Sequence, residues 1–162
     1  MTRTLFKDLF DNHFDAVRNY IYYRSGDSEL ATDIAQETFM KIWEKRIDSS
    51  NSKNINGLLF KIAGDLFISS YRRQKVITNF KLNLTPAIEK QSPEDTFQFN
   101  ELKSKYELAL VKLPEKQRTV FLMSRIDNMK YHEIANATGI SIKAVEKRMK
   151  YALAFFKTEL NY

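Results

Sequence analysis

The chain has 162 residues, room for one medium domain or two small ones, and 43% apolar content with only 4 glycines and 3 prolines favours an all-helical protein. It contains no cysteine, which excludes disulfides, cysteine-ligated zinc and thiol catalysis together. The net charge of +6 is uneven: residues 1–76 carry 12 basic and 10 acidic side chains, residues 77–97 carry 2 and 3, and residues 98–162 carry 12 and 7, which suits the C-terminal part to a polyanion.

No run of about 18 apolar residues is present, so no membrane insertion is expected. The N-terminus alternates charges with aromatics and does not read as a secretory signal, which makes the cytoplasm the expected compartment. Periodicity predicts four helices before residue 77, or three long ones with a break. The first covers about 5–24, with Phe6, Phe10, Phe14, Val17 and Ile21 on one face. Gly26 ends it, and Asp27 with Ser28 caps the next.

The second helix covers about 29–45. Its inward stripe is Leu30, Ile34, Ala35, Thr38, Phe39, Ile42 and Trp43, spaced for a 3.6-residue turn. Asp33, Gln36, Glu37, Met40 and Glu44 line the opposite face. That face reads as a solvated surface or as a protein-binding one, with Met40 the residue that suits a partner better than water. Its acidity argues against DNA.

A polar loop follows, with Ser49, Ser50, Asn51 and Ser52. Such a loop serves as a solvated turn, or its short side chains line a pocket for an unstacked base. The third helix covers about 56–74 with Leu59, Ile62, Ala63, Leu66 and Phe67 inward, and ends in Arg72, Arg73 and Lys75 beside Tyr71. The macrodipole accounts for one or two of those cations, and phosphate contact accounts for all three.

Residues 77–97 lose the periodicity, contain Pro86 and Pro93, and read as a linker. When extended, such a segment reaches roughly 70–75 Å. That is enough for two small domains to meet DNA one to two helical turns apart, about 35–70 Å. Helix resumes near 95–111. Pro114, at the first helical position, and Glu115 open another helix, whose apolar side is Val120, Phe121, Met123 and Ile126.

Residues 129–150 read as a helix-turn-helix. Ile134 and Ala135 sit where the two helices approach closely, Gly139 suits the reversal, and Ser141 is a good N-cap. Val145, Met149, Ala152 and Phe156 form the buried stripe of the second helix, leaving Lys143, Lys147, Lys150 and Tyr151 outward. A basic, N-capped helix on a compact turn fits the major groove. His13 and His132 stand alone, no glycine-rich phosphate loop or catalytic carboxylate pair is visible, and neither catalysis nor a metal or cofactor is expected.

These pieces together resemble the extracytoplasmic-function sigma factors of bacterial RNA polymerase. The resemblance rests on Asp33-Ile34-Ala35-Gln36-Glu37 within residues 31–45, on Leu58 to Ala63, on Arg72-Arg73, on Leu113-Pro114-Glu115-Lys116-Gln117-Arg118, and on Tyr131 to Ala135 with Val145-Glu146. It implies an all-α chain with region 2 at 1–76, a flexible linker at 77–97 and region 4 at 98–162. By resemblance, Asp33, Gln36, Glu37, Met40 and Trp43 match a surface for the β′ clamp helices, and region 4 meets the β flap. Ser49, Ser50, Asn51 and Ser52, with Lys61, Asp65, Ser69, Arg72 and Arg73, match positions at the −10 element. Ser141, Lys143, Lys147, Arg148, Lys150 and Tyr151 match positions at the −35 element, with Arg118 a phosphate contact. An anti-sigma partner is implied as well. Asp65 and Ser69 depart from the family, which usually has asparagine at the first position and aspartate or asparagine at the second.

Overall fold

A computed structural model of the chain describes residues 1–47, 54–73 and 93–161. Its seven helices are α1 (Arg3–Ser25), α2 (Ser28–Glu44), α3 (Ile55–Arg73), α4 (Pro93–Lys112), α5 (Glu115–Arg125), α6 (Tyr131–Thr138) and α7 (Ile142–Glu159), and no strand occurs among the described residues. Among the described residues three helices, rather than four, precede the predicted linker, because each apolar stripe runs on without a break.

Helix boundaries follow local chemistry. The Thr2 hydroxyl accepts the Leu5 N–H to open α1, and Gly26 closes it at φ 69°, donating its N–H to the Tyr22 carbonyl at 2.7 Å. The Asp27 carboxylate then accepts from Glu29 N and Leu30 N, both at 3.0 Å, and starts α2. Pro114 sits at the cap position of α5, one residue before its predicted place, with Glu115 in the first turn.

The N-terminal lobe closes over Val17, Ile21, Ala31, Ala35, Ile42, Leu59 and Ala63, all without exposure. Phe39 is the hub of an aromatic cluster, with the rings of Phe6, Phe10 and Phe14 at 6.4, 5.1 and 6.0 Å. Edge and tilted contacts of this kind add to the area they bury. Buried Thr38 donates its hydroxyl to the Ile34 carbonyl at 2.8 Å, so the polar group in this stripe is satisfied. Trp43 departs from the expected stripe: it is 44% exposed, with one side against the Phe6 ring at 4.9 Å.

The C-terminal lobe packs Leu110, Leu113, Val120, Leu122, Met123, Ile134, Val145 and Ala152. Tyr106, Phe121 and Phe156 stack beside them, with Phe121 and Phe156 at 4.6 Å. Ile126, expected inward, is exposed because α5 ends at Arg125 and the chain turns away. The lobes also touch each other, α1 lying against α5 and α3 against α6.

Candidate functional site

Gly139 makes the turn of the helix-turn-helix at φ 70°, with its N–H on the Ala135 carbonyl at 2.9 Å. The Glu133 carboxylate reaches back to the Lys130 N–H at 2.7 Å and steadies the start of α6. The Ser141 hydroxyl accepts from Ala144 N at 3.1 Å and opens α7. Ile134 and Ala135 are buried at the crossing, and Val145, Met149, Ala152 and Phe156 anchor α7. Lys143, Lys147, Lys150 and Tyr151 project from its exposed side, while Arg148 is half-buried at the edge. This is a rigidly based basic ridge, able to meet phosphates and base edges.

A second surface lies on α2. Asp33, Gln36, Glu37 and Glu44 are exposed, with Met40 59% exposed among them and Trp43 at the end of the row. Glu37 and Lys41 approach to 3.5 Å, an exposed pair one turn apart that contributes little to stability. The result is an apolar strip edged by carboxylates, the composition of a protein-docking ridge.

Lys61, Asp65 and Ser69 are exposed at successive turns of α3, and Arg72 and Arg73 belong to its last turn. Ser49, Ser50, Asn51 and Ser52 lie outside the described residues. Lys61 and Asp65 border a cleft of about 510 Å³ whose far wall is the end of α6, Asn136 to Gly139.

Arg118 does not face solvent in this arrangement. It is 7% exposed, and its guanidinium donates to the carbonyls of Tyr23, Arg24 and Leu113 at 3.0, 3.2 and 3.1 Å. Burial works against its charge, and neighbouring Glu115 favours it. Close by, Asp127 accepts from Tyr23 Oη at 2.8 Å and Asn19 Nδ2 at 3.1 Å. Burial raises the Asp127 carboxyl above its ordinary range despite those donors, and burial with the adjacent carboxylate raises the Tyr23 phenol. None of Asn19, Tyr23, Arg24 or Asp127 carries a local motif. The only sequence signal was the run of tyrosines at 20, 22 and 23 on α1, more than one buried stripe needs.

Family models match in the same order as these surfaces: sigma-70 region 2 over residues 9–76 and sigma-70 region 4 over residues 103–155. The chain is similar to the ECF RNA polymerase sigma factor SigW of Bacillus subtilis, 29% identical over 155 residues, covering 89% of this chain and 82% of that protein. It is also similar to RNA polymerase sigma factor YlaC of the same organism, 25% identical over 153 residues, with 93% and 88% covered. Among solved structures, the sigma factor RpoE of Bartonella quintana, determined in complex with the anti-sigma factor NepR, shares the fold at TM-score 0.65 and 21% identity over 96% of both chains. With both family regions in sequence on a fold of two helical lobes, the chain belongs to the sigma-70 family of RNA polymerase sigma factors, in its extracytoplasmic-function branch.

Proposed function

We propose that this sigma factor divides its work between two lobes along residues 1–76 and 98–162. The α2 ridge of Asp33, Gln36, Glu37, Met40 and Trp43 takes the β′ clamp helices of polymerase, and the C-terminal lobe meets the β flap. Lys61, Asp65, Ser69, Arg72 and Arg73, with Ser49, Ser50, Asn51 and Ser52, take the unpaired −10 strand. Ser141, Lys143, Lys147, Arg148, Lys150 and Tyr151 take the −35 duplex. The observation that carries this reading is the contrast between two exposed helix faces, an acidic-apolar one on α2 and a basic one on α7.

The activity needs no catalytic group of its own. Phosphate contacts supply affinity that falls steeply with salt, and each good base contact supplies about 1–3 kcal/mol of discrimination. A lobe fixed on polymerase and holding one strand shifts the duplex-opening equilibrium by its preference for the open form. The protein works in the cytoplasm with polymerase and chromosome. An anti-sigma factor is its expected inhibitor, as NepR is the partner of RpoE in the related structure.

Gel shift with and without sigma-free polymerase tests the reading. The chain alone binds duplex weakly and salt-dependently, and polymerase makes the binding specific and opens the DNA. Glu37→Lys abolishes the polymerase-dependent shift and leaves the melting temperature nearly unchanged, because its site is exposed. Specific operator binding by the chain alone, indifferent to polymerase, overturns the reading in favour of an autonomous repressor.

A further inference from the structure

Between Gly139 and Thr158 the chain has one acidic residue, Glu146, set amid Lys143, Lys147, Arg148 and Lys150. It is exposed on α7 beside Val145, which is buried. Two ordinary reasons for a carboxylate on a helix fail here. The helix dipole favours acids in the first turn. The first turn of α7 has none, and Glu146 lies beyond it. A lysine four residues on is the favoured partner of a helical glutamate. Pairs of that spacing close at Glu37 with Lys41, Glu101 with Lys105, and Lys103 with Glu107. Glu146 and Lys150 do not close, and among the described residues Glu146 takes part in no ion pair.

Four residues back on the same flank, Ile142 is 48% exposed. A helix that only gripped phosphate would gain nothing from either side chain. The carboxylate is repelled by the DNA backbone, and the apolar group neutralises no charge. Both have partners on the floor of the major groove. A carboxylate accepts there only from the exocyclic amines, N4 of cytosine or N6 of adenine. Adenine sets the acceptor N7 beside its amine, which repels a second carboxylate oxygen, whereas the major-groove edge of cytosine carries no acceptor. The apolar group of the groove is the C5-methyl of thymine.

We infer that Glu146 and Ile142 are the specificity-determining pair of the recognition helix: Glu146 accepts from cytosine N4 and Ile142 packs on a thymine methyl nearby, while the surrounding lysines supply phosphate affinity. Four helical residues span about 6 Å, which matches one to two base-pair steps of about 3.4 Å. Glu146 also acts against wrong pairs, because guanine O6 and N7 and thymine O4 meet it with acceptors alone. The inference rests on the reading of α7 as the −35 contact given above and names the bases that this face selects.

The test uses the full chain assembled with sigma-free polymerase and a pool of promoter duplexes randomised across the upstream element. The bound fraction is sequenced. The parent is expected to favour C·G at one base pair by about 5- to 150-fold, with T·A favoured one or two steps away. Glu146→Ala is expected to level the first preference and to hold mixed-sequence duplex more tightly, since a repelling charge is gone. Glu146→Gln is expected to move that preference to A·T, because an amide bonds both N6 and N7 of adenine. Ile142→Ala is expected to level the second preference. Deoxyuridine in place of that thymine is expected to weaken the parent and leave the Ile142→Ala chain unaffected.

Both side chains are exposed, so the variants are expected to melt with the parent. Should Glu146→Ala melt lower, the nearly isosteric Glu146→Gln carries the test. Identical base preferences in the parent and both Glu146 variants overturn the inference, and so does a change confined to overall affinity. An Ile142→Ala chain with every parental preference overturns the thymine contact. Lys147→Ala separates this inference from the reading beneath it. If that change weakens upstream binding while the Glu146 variants keep parental preferences, the inference fails and the −35 reading stands. If neither alters upstream binding, the −35 reading itself fails.

Discussion

Gly139→Ala isolates the backbone demand of the turn that aims the recognition helix. Gly139 sits at φ 70°, and a Cβ built there meets nothing within 4 Å. Any cost is therefore conformational, with no clash to relieve. Holding an alanine in the left-handed region costs about 1 kcal/mol relative to glycine, and asparagine, which enters that region more easily, about half as much. For a lobe of this size, 1 kcal/mol lowers Tm by about 4–8 °C. Thermal melting followed by circular dichroism should rank Gly above Asn above Ala. An alanine variant that melts within 1 °C of the parent, or an asparagine variant worse than alanine, would refute the argument that φ alone selects this glycine.

Asp27→Ala removes the acceptor for two N–H groups at the start of α2 and should cost about 1 kcal/mol in denaturant melts, with Asp27→Ser restoring most of it. Lys147→Ala should leave Tm unchanged, weaken promoter binding by the polymerase-bound protein, and reduce the slope of log affinity against log salt by about one if its contact is phosphate. Burial lowers the His13 imidazole below its ordinary 6.5. Its neutral form is thus the folded one, and the stability it supports is complete above that pH and lost as pH falls through the lowered value. Tm should drop between pH 7.5 and 5.5, and His13→Gln should flatten the drop. Asp127, whose carboxyl is raised, works in the opposite sense at more acidic pH.

Whatever depended on neighbours in sequence was legible. Gly26 and Asp27 at the α1–α2 corner, the Val17 and Ile21 stripe, and Gly139 with Ser141 each act within one or two helical turns, where periodicity and cap chemistry decide. Trp43 broke the pattern because it sits in the last turn of α2, where the stripe runs past the core and the Phe6 ring covers one side. Phe60 and Gly64 were missed for a different reason. They form a second buried face on α3, against Tyr20 and Arg24 of α1, where the predicted stripe of Leu59, Ala63 and Phe67 allowed for one face.

Arg118 was the least legible. Its surroundings in sequence suggest a surface cation near a helix start, and two of the carbonyls it binds lie more than ninety residues away. Backbone acceptors leave no mark on the sequence. The recognition helix could be read because its exposed and buried sides differ in composition, and the docking of the lobes could not because it is made of scattered polar groups.

Run-off transcription with purified sigma-free polymerase and fragments of the source genome tests the central claim most directly. The account predicts discrete transcripts that require this chain, vanish with Glu37→Lys, and weaken with Lys147→Ala. Transcripts identical with and without the chain, or undiminished by Glu37→Lys, would contradict it.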